Sequence, residues 1–403
     1  MPFDIALSGL NAASADLETI SNNVANSATH GFKKSRAEFA DVYATQSSNA
    51  IGRGVRLAAV TQQFGQGNLS ITENPLDLAI SGDGFFRLND NGSTVYSRAG
   101  AFGVDRDGFI VNTQQQRLTG FIADAQGNLT GATGDLRVDT ADLPPRVTTA
   151  IDVGANLDAS QTVPANPFNA NDPLSYNHST STTVYDSLGS SHIATMYYSK
   201  SASNQWQSYL FVDGNEVNQP GGDALAFAND GSLFQINGGA GTTTTSISFN
   251  PGTGAAPMTL TMDYADLTQY GSPFGVNALS QDGFTIGRLS DVGVDDSGML
   301  SGRYSNGQTR VLGQVVLSNF ANSQGLRRLG DTNWAETFSS GAALTGAPGS
   351  GDLGLVQSGA LEEANVDLTE ELVNMITAQR NFQANAQVIS TADQITQTII
   401  NIR

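Results

Sequence analysis

The sequence predicts an α+β multidomain chain. Discontinuous N- and C-terminal coiled-coil helices flank two mainly-β domains, the outer one inserted in the inner one. Three observations carry this reading. Helical periodicity is confined to the two ends, everything between them alternates strand and turn patterns, and acidic charge is concentrated in one internal third.

At the N-terminus, Phe3, Leu7, Leu10, Ala13, Leu17, Ile20 and Val24 recur at steps of three and four, marking one helical face. Asp4 reads as its N-cap and Gly31 as its stop. From Asp367 onward the pattern returns at greater length. Leu368, Leu372, Met375, Phe382, Ala386, Ile389, Ala392, Ile395, Ile399 and Ile402 form the stripe, behind a capping box of Asp367 and Glu370. The spacing is close to a heptad, so both ends are coiled-coil candidates. Between them lie strands, so the ends have few helical partners except each other. Both are therefore expected to be loose in the single chain and to order when copies assemble. The assembly face is assigned to Leu7, Leu10, Leu17, Ile20, Val24, Leu372, Met375, Phe382, Ile389, Ile395 and Ile399.

A second row runs along the last helix through Gln379, Gln383, Gln387, Ser390, Gln394, Gln397 and Asn401, within a sector of about 80°. An ordinary solvated face carries Lys and Glu. An uncharged amide row suits a confined aqueous bore, where fixed charge would retain passing cargo. An exposed face of biased composition explains it equally well.

The domain plan follows from these patterns. Residues 1–36 form the N-terminal helical segment, 37–70 a connector with short extended pieces, and 71–145 the first part of an inner β domain. Residues 146–284 form an inserted outer β domain, 285–358 the rest of the inner one, and 359–403 the C-terminal helical segment. Turn chemistry punctuates the strands at Ser81-Gly82-Asp83-Gly84, Asn89-Asp90-Asn91-Gly92 and Asp105-Arg106-Asp107-Gly108. Reading these acidic turns as calcium loops fails for want of the bidentate Glu and the full ligand spacing. Residues 105–120 and 295–313 share a turn, a strand and an Arg-x-x-Gly ending, which argues for one domain built from both stretches.

Charge sorts the parts and excludes activities. Acidic residues outnumber basic ones 38 to 19 across 403 residues, a net charge of −19. Residues 147–287 hold eleven acids against one base, Lys200, as a solvated outer domain would. The first 36 residues balance, with Asp4, Asp16 and Glu18 against Lys33, Lys34 and Arg36. Such an acidic chain offers no clustered Lys and Arg for nucleic acid. The absence of cysteine excludes disulfides and thiolate chemistry, and three histidines leave little for metal or acid–base work. No cation precedes Lys33 and no long apolar run follows, so neither a secretory signal peptide nor membrane insertion is expected. Gly349-Ser350-Gly351-Asp352-Leu353-Gly354 matches GxGxxG only formally and reads as a linker. Glu362-Glu363 and Asp295-Asp296 are adjacent, so their side chains diverge. No catalytic residue, cofactor or metal site is expected.

Three blocks resemble a known family. ALSGLNAASADLETISNNVANSATHGFKKSR resembles the N-terminal signature of bacterial flagellar rod, hook and hook-associated axial proteins, through Asn22, Asn23, Asn26, Gly31 and Phe32. GALEEANVDLTEELVNMITAQRNFQANAQVISTADQI resembles their C-terminal signature, through Asn365, Asp367 and Arg380. LDLAISGDGFF followed by YSRAGAF is the third block. The large insertion is similar to that of the family's hook members and is missing from distal rod members. The resemblance implies a homopolymer: a hollow, flexible tube with the terminal helices innermost, around an export channel that Gln379, Gln383, Gln387, Gln394 and Gln397 would face. It implies a universal joint that passes motor torque, located outside the cell and exported by the flagellar type III apparatus. Flagellar rod, hook cap and hook–filament junction proteins would be its partners. A distal rod or hook-associated protein, or a secreted β-rich adhesin, are the alternatives. The connector at 37–70 is a candidate hinge.

Overall fold

The computed structural model describes residues 2–42, 52–246, 248–252 and 254–401, so part of the expected connector and Ile402 lie outside the described residues. The chain is mostly β, with one long helix at each end: α1, Pro2–Ala25, and α2, Leu368–Asn401. Its contacts divide it into two compact units. The first comprises Met1–Thr140, Ser290–Arg303 and Thr309–Arg403, and the second Ala141–Leu289 and Tyr304–Gln308.

Helix α1 opens on proline, whose missing N–H costs nothing in the first turn. Asp4 therefore sits inside that first turn and is not its N-cap. The helix ends at Ala25, six positions before the expected stop. Asn26 N–H donates to the Asn22 and Asn23 carbonyls (both 3.2 Å), and Thr29 N–H to the Asn26 carbonyl (3.0 Å), closing the helix in a run of turns. Gly31 instead provides the left-handed residue beyond them, at φ 71°. Helix α2 starts as the sequence reads: Asp367 Oδ1 accepts from the Thr369 N–H (2.8 Å) and the Glu370 N–H (3.2 Å). Glu370 does not complete a capping box, because its carboxylate meets Lys34 Nζ at 3.2 Å.

After α1 the chain forms a hairpin of β1, Ser35–Asp41, and β2, Val55–Gln62, with a bulge at Glu38/Phe39. The expected boundary at residue 36 thus falls within a strand. The Val55 N–H donates to Ser8 Oγ (3.2 Å), tying this hairpin to α1.

A thirteen-stranded sheet makes up most of the rest of the first unit. Phe85–Asp90, Ser93–Ser97 and Arg117–Ala123 from the early stretch pair there with Thr309–Val315, Leu317–Asn319 and Asn333–Ala335 from the late one. Phe85, Tyr96, Phe320 and Trp334 form an edge-to-face cluster on it, with Phe85–Trp334 centroids 5.5 Å apart. The repeated turn has one construction. Asp105 Oδ1 accepts from the N–H groups of Asp107 and Phe109 (2.9 and 2.8 Å), and Asp295 Oδ1 from those of Ser297 and Met299 (both 2.9 Å). These carboxylates serve their own turns, and a left-handed glycine, Gly108 or Gly298, closes each one.

The second unit has a five-stranded and a seven-stranded sheet. Ser191–Ala202 and Gln205–Val212 alternate buried and accessible positions, as half-buried strands must. Their inward residues Met196, Tyr198, Trp206 and Leu210 join Ile151, Val153 and Tyr264 in one core. Two of its polar side chains are paired inside: Trp206 Nε1 donates to Gln269 Oε1 (2.8 Å), and the Ser208 and Tyr264 hydroxyls bond at 2.9 Å, while the buried Tyr198 hydroxyl has no partner among the described residues.

Candidate functional site

The two chain ends meet in an antiparallel helix pair. Gly9 faces Asn385 so closely that a Cβ there would come 2.6 Å from Asn385 Oδ1, and Asn23 Nδ2 donates to Glu371 Oε2 at 3.3 Å. The contact moves the same distance along both helices, in opposite directions, so the register holds throughout. Among the described residues, two of the four buried positions of α1 are alanine, Ala6 and Ala13; Ile20 continues their seven-residue spacing, and the buried amide of Asn23 joins them. On α2, Glu371 and Ala378 repeat that spacing. Small residues let the backbones approach, and the large side chains flank them.

This seam divides the expected assembly residues. Ile20 is buried, while Leu10, Leu17, Val24, Met375, Phe382 and Ile389 are half-buried beside the seam. Leu7, Leu372 and Ile395 remain 52, 50 and 56% exposed, joined by Val373, Ile376 and Val388. The side chain of Ile399 lies outside the described residues. The sequence predicts loose ends, whereas the structure shows both helical and paired; the small-residue seam and the polar junction described below hold them. Gln379, Gln383, Gln387, Gln394 and Gln397 are all exposed, and Gln397 Nε2 donates to the neighbouring Asp393 Oδ2 (2.9 Å).

The signature residues converge where α1 ends and α2 begins. Asn23 Oδ1 accepts from the Ser35 N–H (2.9 Å) and its Nδ2 donates to the Ser35 carbonyl (2.8 Å). Asn365 Oδ1 accepts from the Lys34 N–H (2.7 Å), and its Nδ2 donates to the carbonyls of Gln63 (2.7 Å) and Gly65 (2.9 Å). Each amide thus mimics a strand partner and stitches the termini to the hairpin. Gly31 and Phe32 are buried, and the Gly31 N–H donates to the Glu362 carbonyl (2.7 Å). Asn26 closes the turn and Asp367 caps α2, whereas Asn22 and Arg380 stand exposed.

At the centre is an ion cluster that the sequence reading missed. Lys33 Nζ lies 2.6 Å from Glu362 Oε1 and Arg98 Nη1 lies 3.2 Å from Glu362 Oε2, with Lys33 and Glu362 fully buried. The Gly67 N–H also donates to Glu362 Oε1 (2.8 Å), Lys33 Nζ to the Gly65 carbonyl (2.9 Å), and Arg98 Nη2 to the Gly82 carbonyl (2.8 Å). Burial holds the Lys33 ammonium below its usual pKa, the Arg98 charge adding to this and Glu362 opposing it. Both oxygens of the carboxylate are taken up by protein donors. The arrangement is a lock between chain ends, and its trace in sequence is only three charges, Lys33, Arg98 and Glu362, far apart in the chain.

Comparison with known proteins agrees with this geometry. The family model "Flagella basal body rod protein" matches residues 3–33, and "Flagellar basal body rod FlgEFG protein C-terminal" matches 357–402. Between them, "Flagellar hook protein FlgE/F/G D1 domain" matches residues 79–158 and "Flagellar basal body protein FlaE D2 domain" matches 156–284. The chain is 42% identical to the flagellar hook protein FlgE of Escherichia coli K12 and 32% identical to that of Borreliella burgdorferi. These alignments cover 100% of both chains in the first case and 98% of both in the second. A crystal structure of a Helicobacter pylori flagellar hook protein shares the fold at a TM-score of 0.55 and 14% identity, over 73% of this chain and 99% of that one. With full-length identity at this level and a signature at each end, the chain belongs to the flagellar hook protein FlgE family.

Proposed function

We propose that this chain is the structural subunit of a bacterial flagellar hook, polymerising with itself into a hollow, flexible helical tube. One observation carries the reading. The terminal helices are already paired, yet Leu7, Leu372, Val373, Ile376, Val388 and Ile395 still face solvent. Fully burying such a side chain is worth roughly 1.5–3 kcal/mol, and at these half-exposed positions about half of that remains to be gained. Neighbouring copies that present the same helices supply that cover, in coiled-coil fashion, and make the helices the inner layer of the tube. The exposed glutamine row then faces the bore, an uncharged lining for exported chains. The first unit would form the inner β domain and the second the inserted outer one.

One heterologous contact repeated without closure generates such a tube. When a bent tube turns, each row of subunits lengthens on the outside and shortens on the inside. The helical layer keeps its packing while the outer domains slide in small shear steps, and torque passes from rod to filament. The surfaces suit sliding, since only 14% of the chain is charged and strong ion pairs would raise the barriers. Flagellar rod, hook cap and hook–filament junction proteins would meet its ends, outside the cell, after delivery by the type III export apparatus. This role needs no catalysis.

Electron microscopy of concentrated purified protein tests the reading. Tubes are expected from the whole chain, and none from a chain lacking residues 368–403, whose β units stay folded. Monodisperse particles of the whole chain at every concentration would overturn it.

A further inference from the structure

Each terminal helix carries one unanswered charge on the face turned away from the other helix. Arg380 is the only base on either α1 or α2. It is exposed, and among the described residues its side chain has no hydrogen bond or ion pair. The acids of α2 are already engaged: Glu370 with Lys34 Nζ (3.2 Å), Glu371 with Asn23 Nδ2 (3.3 Å) and Asp393 with Gln397 Nε2 (2.9 Å). On α1, Asp4 is engaged in the first turn. Asp16 is half-buried and continues the seven-residue step of Gly9 and Asn23, which places it on the seam side. Glu18 is exposed and, like Arg380, has no side-chain partner among the described residues.

Helix geometry places both charges on the outward faces. At about 100° per residue, Glu18 lies about 140–160° round α1 from the buried Ala13 and Ile20, and within about 20° of the exposed Leu7. Arg380 lies about 160–180° round α2 from the buried Ala378 and Glu371, and within about 40° of the exposed Val373 and Ile376. Glu18 and Arg380 therefore point away from each other across the pair and do not meet within one copy. Each also stands among the apolar side chains that the single chain leaves uncovered. A neighbour that covers Val373 and Ile376 strips water from Arg380 as well, and a buried guanidinium is costly unless an anion meets it. The same holds for the Glu18 carboxylate beside Leu7.

We propose that Arg380 of one copy pairs with Glu18 of the next, and that this ion pair fixes the register between neighbouring helix pairs. The inference rests on the hook-subunit reading and names a contact within it. A second copy is the occupant because each outward face carries the charge that the other lacks, and neither charge is answered in its own chain. The two faces lie on opposite sides of the helix pair, so one neighbour cannot cover both. Their meeting is heterologous and repeats without closing, as an open tube requires. Charges beside an apolar helix seam decide which helices pair and in what register. Such a pair suits the helical layer, which keeps its packing while the outer domains slide.

Charge reversal in the full chain gives the test. Glu18→Arg and Arg380→Glu, each alone, put like charges at the contact and should raise the critical concentration for polymerisation at least tenfold. Thermal unfolding of both monomers, followed by circular dichroism, should match wild type, because neither side chain has a partner within the chain. The double variant Glu18→Arg/Arg380→Glu should return to within about threefold of wild type. So should an equimolar mixture of the two single variants, since alternating copies then meet with opposite charges at every contact. Rescue by the double variant without rescue by the mixture would place the pair inside one copy and overturn the proposal. Reversals that neither combination rescues would show that the two residues do not meet. If wild type and both single variants polymerise alike, this pair is wrong and the hook reading stands. If wild type never polymerises, the hook reading itself fails.

Discussion

Lys33 and Glu362 stand 329 positions apart in the chain, and their side chains meet at 2.6 Å with no exposure to solvent. A buried pair of this kind contributes little net stability against an apolar alternative, but breaking it is costly. Here one carboxylate answers two cations, so its loss strands both. Glu362→Gln should therefore cost the first unit roughly 3–5 kcal/mol, read as a lowered urea midpoint. Lys33→Met leaves Glu362 paired with Arg98 and should cost clearly less. Equal costs for the two variants would mean that Arg98 does not share the carboxylate.

Gly31 should tolerate no side chain. Its φ is 71°, where an L-residue loses about 1–2 kcal/mol, and a Cβ would also collide with the Ala99 backbone nitrogen. The Ala99 N–H on the other side is itself held by Ser97 Oγ (3.1 Å), so it does not readily yield. Gly31→Ala should destabilise the first unit by more than about 2 kcal/mol. Gly103→Ala is the control: a Cβ there meets nothing within 4 Å, and the change should stay within about 0.5 kcal/mol.

The helix pair separates stability from assembly. Leu372 and Ile395 are half or more exposed, so Leu372→Ser with Ile395→Ser should leave monomer unfolding within about 1 kcal/mol of wild type. The same double variant should abolish polymerisation in a sedimentation assay. Ala378 is buried in the seam, and Ala378→Leu should cost about 1–3 kcal/mol by overpacking it. Polymerisation of the serine variant at wild-type concentration would sink the proposed role of the outer helical face.

Much of this organisation is legible in the sequence, because local signals govern it. Period-3.6 stripes mark α1 and α2, and the Asp105 and Asp295 turns announce themselves by an acid three residues before a left-handed glycine. What is not legible depends on distance in the chain. The stripe suggests that Leu7 and Leu372 face inward, yet two helices alone bury one narrow seam, and Ala6, Ala13 and Ala378 occupy it. Small residues win there because Gly9 and Asn385 bring the backbones too close for leucine. Asn23 and Asn365 are visible as signature residues, but their work as backbone surrogates requires partners twelve and 302 residues away. The Lys33–Glu362–Arg98 cluster shows nothing periodic at all.

His192 gives the second unit a pH dependence with a definite sign. The ring is buried, its Nδ1 lies 2.6 Å from Asp213 Oδ2, and its Nε2 lies 3.4 Å from Asp186 Oδ2. Burial opposes protonation, but the hydrogen bonds and charges of Asp213 and Asp186 outweigh it and raise the pKa above 6.5. Below 6.5 both folded and unfolded chains carry the proton, so the contribution is complete. As pH climbs through the raised folded value, the folded ring loses its proton and that stabilisation disappears. His178 acts with the opposite sign and in a different window. Burial lowers its pKa despite the Asp158 charge, so it destabilises the fold below 6.5 and is silent above. The melting temperature of the second unit should therefore decline as pH rises from 6.5 into the alkaline range. His192→Gln should flatten that decline, and His178→Gln should leave it intact. An unchanged slope in His192→Gln would show that the ring is already neutral in the folded unit and that Asp213 holds it only as a hydrogen-bond donor.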